Sequence, residues 1–359
     1  MEKLKMAIVG LGTSASQCHL PNLLKRSDVE IVALADISEE RRSSIPTLLP
    51  EARLYTDYES LLASEAGLDL LDIATPPYVT AEIARSALRQ GIHVLCETPV
   101  GLSMNSTKTL LDDARQADRL VFPCTTLRFA PILQMATSII ESGILGRIRS
   151  VTVQSFLGSL PRGIADWRPD WRRENRFSGG GVTLSMASEI LPVIFDWLGD
   201  SPLSATAKMT RNDNDHDTEN TCSAVLTYPQ GTASIHMSWT AGLSKFLATL
   251  HGEKGALVID DDRLEISRRE SNAGPSSAGH REGTPPANSL ERREIPSQWV
   301  DPTRATWFAP LLDSFLKTLR GNRSHAALLE SHHALIVIDA LYRSAASQSR
   351  ETPMTWDPV

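Results

Sequence analysis

The sequence predicts an α/β fold in two domains, with a parallel sheet and its helices first and a mostly antiparallel sheet after it. Three observations carry that prediction. The chain has 359 residues, more than one domain holds at about 150 residues each. Its first third alternates short apolar runs with helical stretches, the pattern of repeated strand and helix units that build a parallel sheet. Beyond about residue 122 the apolar runs follow one another without intervening helices, as an antiparallel sheet requires. The change of pattern divides the chain into residues 1–121 and 122–359.

Composition narrows the partners. Hydrophobic residues make up 41% and charged residues 22%, enough apolar side chain for two cores and incompatible with wholesale disorder. The net charge is −7 with no long basic run, so nucleic acid is not an expected partner. Cys18, Cys96, Cys124 and Cys222 lie far apart with no C-x-x-C pair, which argues against a disulfide framework or zinc site and for a cytoplasmic setting. No stretch is apolar for the roughly 18 residues of a membrane span, and the apolar start is too short for a signal peptide.

In chain order, Met6–Val9 reads as a strand stopped by Gly10-Leu-Gly12-Thr-Ser-Ala15, and 18–25 as the helix that follows. Gly10 permits a tight turn, Gly12 a close backbone approach to a pyrophosphate, and Ala15 close helix packing. Thr13 and Ser14 stand where the helix N-terminus presents free N–H groups to phosphate. A second strand, Val29–Ala35, ends at Asp36, where an acid binds the adenosine ribose hydroxyls and favours NAD. Ser38, Arg41 and Arg42 follow at once and suit a 2′-phosphate, so NADP stays open. Leu68–Ala74 is a strand, 81–90 a helix and Ile92–Cys96 the next strand. Thr75, Pro76, Glu97 and Thr98 therefore fall at carboxyl ends of strands, where a dinucleotide lies in an open parallel sheet.

Further on, 148–157, 221–228, 232–239, 246–252 and 256–259 read as strands. The stretch 268–296 is rich in Ser, Gly, Pro, Arg and Glu and reads as a long mobile loop. Phe308–Leu319 and 328–345 read as amphipathic helices. His332 and His333 lie on the second, where adjacent side chains diverge, so a solvated pair is expected. His19, a lone histidine on an amphipathic helix, reads as packed. The acidic stretch around His216 lacks the glycine and terminal glutamate of an EF-hand, and no metal is predicted.

The segments Gly10–Ala15, Ala33–Asp36, Ala74–Pro77, His93–Pro99, Arg128-Phe129, 142–148, Gly179–Gly181 and 251–256 together resemble the Gfo/Idh/MocA family of NAD(P)-dependent oxidoreductases over nearly the whole chain. The resemblance implies a Rossmann domain followed by an α/β domain with a large open sheet, and an active site between them. It also implies a homodimer or homotetramer formed through the open face of that sheet, C-terminal helices packed back on the Rossmann domain, and sugars, cyclitols or related biosynthetic intermediates as substrates.

The departures from the family pattern bear on chemistry. Where the family has Glu-Lys-Pro, with the lysine beside the nicotinamide, this chain has Glu97-Thr98-Pro99. Where the family has Asp and His one helical turn apart after Gly-Gly-Gly, it has Ser185 and Glu189. Hydroxyls donate hydrogen bonds but do not titrate near neutrality, so Glu189 is the group left to move a proton. Three readings follow. The first is hydride transfer, on a sugar or on an imine or conjugated substrate, with Glu189 or Tyr78 handling the proton beside Thr98 and Ser185. The second is a non-redox elimination or cyclisation with Glu189 as base. The third is a non-catalytic dinucleotide-binding protein. Arg128, Trp167 and Arg168 are the candidate substrate-binding residues, the last two in an Asp-Trp-Arg-Pro-Asp-Trp-Arg-Arg run before the glycine triplet.

Overall fold

A computed structural model describes residues 3–45, 48–163, 165, 166, 168–199, 201–211, 216–269, 288–297, 299 and 304–356. β1 (Leu4–Val9), β2 (Val29–Ala35), β3 (Arg53–Tyr55), β4 (Leu70–Ile73), β5 (His93–Cys96) and β6 (Val121–Pro123) form one sheet in the order β3-β2-β1-β4-β5-β6. Every neighbouring pair runs parallel. The order reverses direction between β1 and β4, and at such a switch point the loops part and leave a crevice at the carboxyl ends. β4 and β5 are buried along their whole length, as expected of central parallel strands covered on both faces.

The turn after β1 depends on glycine. Gly10 has φ +89°, and a Cβ there would sit 2.6 Å from the Ala74 carbonyl oxygen at the end of β4. The following helix starts earlier than its apolar pattern suggests: a π-helical turn, Ala15–His19, leads into α1 (Leu20–Leu23). The other helices of this half are α2 (Glu39–Ser44), α3 (Tyr58–Ser64), α4 (Pro77–Arg89) and α5 (Met104–Ala117). α4 also begins ahead of expectation, because Pro77 occupies its first turn, where a fixed φ favours the helix and no N–H is needed.

After α6 (Pro131–Glu141) comes β7 (Ile148–Phe156), then the short α7 (Asn175–Ser178) and α8 (Val182–Leu198). The remaining strands are β8 (Ser204–Thr210), β9 (Thr221–Tyr228), β10 (Gly231–Ser238), β11 (Lys245–Gly252), β12 (Gly255–Asp260), β13 (Arg263–Arg269), β14 (Asn288–Glu294) and β15 (Thr352–Pro353). They pair with β7 in the order β14-β13-β12-β11-β7-β10-β9-β8-β15. β7 and β10 are parallel and the other pairs antiparallel. Val151, Val153, Leu226, Ile235 and Leu250 point from this sheet into one core with Ile190, Leu191 and Ile194 of α8. Side chains alternate across a strand, so the opposite face carries Val225, 43% exposed, and Val258, 36% exposed. Asn175–Leu198, which spans α7 and α8, contains an 18-residue window with the hydropathy of a membrane span, yet 72% of that window is buried in the core of this domain.

α9 (Ala305–Arg320) returns to the first domain: its Phe308, Leu311, Leu312 and Phe315 pack with Met6, Ile8 and Leu34. α10 (Ala326–Ala346) spans both cores, with Leu328 in the first and Leu335, Ile338 and Leu341 in the second. Two expectations are corrected here. The stretch read as a loop contains β14, which pairs with β13 through seven residues, and its middle, 270–287, lies outside the described residues. His332 is not solvated: it is 1% exposed, with Nδ1 3.0 Å from the Thr107 hydroxyl.

Candidate active site

The crevice predicted from the glycine turn is present. Gly12, Thr13 and Ser14 line one side of a cavity of about 120 Å³, with Thr75, Pro76, Glu97 and Thr98 opposite. The helical run begins at Thr13, so its first N–H groups have no partner within the helix and are free to donate to a phosphate. A Cβ on Gly12 would meet only the Arg41 guanidinium, at 3.7 Å, so the backbone there is approachable. At the end of β2, Asp36 is 6% exposed. Its Oδ2 accepts from the Leu11 N–H at 2.6 Å and its Oδ1 from the Ser38 N–H at 2.8 Å. Arg41 Nη1 adds a third donor to Oδ2 at 3.4 Å, and since a carboxylate has about four acceptor sites, Asp36 is held in place with capacity left for a ribose hydroxyl. Open backbone, a helix N-terminus and an oriented acid fit a dinucleotide.

Beneath the crevice, His19 does more than pack. It is wholly buried and stacked on Phe308, with ring centroids 4.2 Å apart. Nδ1 lies 2.8 Å from Asp72 Oδ2 and Nε2 3.0 Å from Glu97 Oε1. Burial alone pushes the imidazole down, but Asp72 and Glu97 outweigh it and raise it to about 10. Burial pushes the Glu97 carboxyl up, and the bond and charge of His19 bring it below its ordinary range. His19 is therefore an imidazolium that fixes Glu97 against the cavity wall.

A second cavity, about 480 Å³, opens beside Ser14, Glu97 and Thr98 and runs between the domains to Ser155, Ser185, Glu189, Trp239 and Arg304. Thr98 and Glu189 meet in it: the Thr98 hydroxyl donates to Glu189 Oε1 at 2.6 Å, and the Leu127 N–H donates to Oε2 at 2.8 Å. Burial raises the Glu189 carboxyl above its usual range, against the pull of Arg304, whose Nη1 lies 3.7 Å away. Ser185 lies one helical turn before Glu189 on α8 and lines the same cavity. Two features here escaped the sequence reading. Among the described residues, Trp239, 2% exposed, leaves its indole N–H without a hydrogen-bond partner. Arg172 lines both cavities, and burial brings its guanidinium down to about 10, with Glu97 opposing.

Other expectations are not met. Arg128 points away from this cavity and pairs with Glu330 at 2.6 Å and with Asp196. Burial works against its charge, and those two carboxylates more than compensate. Arg168 pairs with Glu174 and lies over the Phe177 ring outside both cavities. Tyr78, 38% exposed, stands edge-on to Phe177 and lines neither cavity. Trp167 lies outside the described residues. The sequence did carry a signal for Arg172: Trp-Arg occurs twice, four residues apart, at 167–168 and 171–172, and the second copy faces the cavities.

Comparison with known proteins agrees with this architecture. Residues 4–124 match the model of the Gfo/Idh/MocA oxidoreductase family, NAD-binding Rossmann fold, and residues 133–258 match the Gfo/Idh/MocA C-terminal domain. A D-xylose 1-dehydrogenase (NADP(+)) of Haloferax volcanii is 27% identical over 327 residues, covering 90% of this chain and 91% of that protein. A levoglucosan dehydrogenase of Pseudarthrobacter phenanthrenivorans is 22% identical, with 82% of each chain covered. The WlbA dehydrogenase of Bordetella pertussis, solved with NADH and UDP-GlcNAcA, superposes with a TM-score of 0.81 at 23% identity over 99% of both chains. Because consecutive models of one family account for both domains in order, this chain belongs to the Gfo/Idh/MocA oxidoreductases.

Proposed function

We propose that the chain is an NAD-dependent dehydrogenase that interconverts an alcohol and a carbonyl on a small polyhydroxy molecule of the sugar or cyclitol class. The observation that carries the reading is the Thr98–Glu189 hydrogen bond of 2.6 Å in the cavity beside the dinucleotide crevice. The substrate class is supported by the sugar dehydrogenases among the relatives and by a cavity of about 480 Å³ lined by hydroxyl and guanidinium side chains.

When bound, the nicotinamide supplies the hydride acceptor. The protein's own work is the proton. Thr98 Oγ1 accepts the proton of the substrate hydroxyl as its own proton passes to Glu189 Oε1, so the alcohol becomes a carbonyl and the proton ends on Glu189. The Leu127 N–H holds the other carboxylate oxygen, so the acceptor does not turn away. Burial keeps Glu189 a stronger base than an exposed carboxylate. Arg172 and Ser185 bind the substrate oxygens and orient the reacting carbon. In the same reading, the open sheet face around Val225 and Val258 carries a homo-oligomer contact.

The test is to release and identify any nucleotide from the purified protein, titrate the nucleotide-free form with NADH, and follow NADH formation over a panel of sugars and cyclitols. Binding with turnover supports the reading. Binding without redox change over the panel favours a non-redox use of Glu189, and absence of binding removes the dehydrogenase.

A further inference from the structure

The relatives do not decide between the two nicotinamide cofactors, since one is an NADP(+) enzyme by name and another is solved with NADH. Nor does the sequence after β2, where Asp36 favours a free ribose and Ser38 and Arg41 suit a 2′-phosphate. An acid from the other domain meets those two residues. Asp166 Oδ1 accepts from Arg41 Nη2 at 2.6 Å and from Nε at 3.1 Å, and Asp166 Oδ2 accepts from the Ser38 hydroxyl. The remaining Arg41 nitrogen, Nη1, lies 3.4 Å from Asp36 Oδ2. The side chains of Arg41, Asp36 and Asp166 are 12%, 3% and 8% exposed.

We infer that Asp166 is a cofactor-specificity residue whose carboxylate takes the place of the 2′-phosphate of NADP and thereby restricts this site to NAD. This rests on the dehydrogenase reading above. A guanidinium edge plus a hydroxyl is the donor set that recognises a phosphate oxyanion, and here a carboxylate satisfies the whole set. A 2′-phosphate entering this corner would have to displace Asp166 and approach Asp36, meeting two negative charges while Arg41 is engaged by Asp166 and Arg42 donates to the Asp36 carbonyl at 2.6 Å. That is discrimination by repulsion as well as by occupancy. A free 2′-hydroxyl needs only an acceptor site, which Asp36 retains.

The segment that carries Asp166 is built to hold it there. Its neck is closed by the Gly163 N–H donating to the Pro169 carbonyl at 2.6 Å and by the Arg162–Asp170 ion pair at 2.9 Å. A Cβ on Gly163 would stand 3.3 Å from the Trp171 ring, so Gly163 packs against Trp171. The sequence gives no hint of the contact, because the partners are 125 and 128 residues apart.

The test is an equilibrium titration, by nucleotide fluorescence or calorimetry, of the nucleotide-free wild-type chain and of Asp166→Ala and Asp166→Asn with NADH and NADPH. Asp166→Asn keeps the shape and guards against misfolding of the alanine variant, and thermal melts check both. The wild type is expected to bind NADH at least about tenfold more tightly than NADPH. Both variants should raise NADPH affinity by about tenfold or more with NADH within about threefold of wild type. Adding Arg41→Ala to Asp166→Ala should cancel the gain. An unchanged NADPH to NADH ratio in both variants, or a wild type that binds NADPH as tightly as NADH, overturns the inference and leaves the dehydrogenase reading standing. A wild type that binds neither nucleotide overturns both.

Discussion

Replacing His19 by glutamine removes the positive charge between the buried Asp72 and the partly buried Glu97 and so measures what the cluster under the crevice contributes. Asp72 is 0% exposed and accepts from Nδ1 at 2.8 Å, while Glu97 is held at 3.0 Å. Glutamine fills similar space but is neutral. Breaking a buried ion pair by removing one partner typically costs about 3–5 kcal/mol. Spread over a chain of 359 residues, at about 2.1 cal/mol/K of unfolding entropy per residue, that is a fall of about 4–7 °C in Tm if the chain melts as one unit. The pH dependence gives an independent signature. Because the folded state raises the imidazole to about 10, the stabilisation is complete below its unfolded value, about 6.5, and is lost as pH rises through about 10. Thermal melts of both proteins from pH 6.5 to 10 should therefore start far apart and converge. A loss of less than about 1 °C at pH 6.5, or a gap that stays constant to pH 10, would refute the charged assignment.

Two further outcomes are open to direct measurement. Gly10→Ala forces a Cβ to 2.6 Å from the Ala74 carbonyl at φ +89°; it should destabilise the protein by about 1–3 kcal/mol and weaken NADH binding, and wild-type affinity in a titration would contradict it. In the pH profile of kcat/KM for alcohol oxidation, the acid limb should lie above the ordinary glutamate value of about 4.3, since Glu189 must be deprotonated to accept a proton and burial raises it. A limb at or below that value excludes Glu189 as the acceptor.

Much of the first domain was legible because its constraints are local. A strand that stops at Gly10, and an acid at the end of the next strand, are fixed by what the turn and the ribose end each require. The second sheet was legible as runs of alternating residues, down to β9 at residues 221–228. What could not be read depends on long-range pairing. Arg128 follows the family pattern in sequence, yet Asp196 and Glu330, 68 and 202 residues away, engage it elsewhere. β14 has a loop's composition and is a strand because β13 offers it an edge. His19 is correctly read as packed, but its charge comes from Asp72 and Glu97, which join it only when β4 and β5 lie side by side. That Thr98 and Glu189 belong to one site came from aligned motifs; the hydrogen bond between them and its Leu127 support came only with the fold.

The account stands or falls on the proton passing to Glu189. The direct measurement is single-turnover NADH formation by wild type and Glu189→Gln on whichever polyol the panel identifies, with NADH affinity and Tm measured alongside. Glutamine can keep the Leu127 bond through its oxygen, but its amide then donates toward Thr98 and the hydroxyl has no base to receive its proton. The prediction is a rate lowered by about 10²- to 10⁴-fold, with NADH affinity and Tm close to wild type. A glutamine variant that turns over at near the wild-type rate would contradict the central claim.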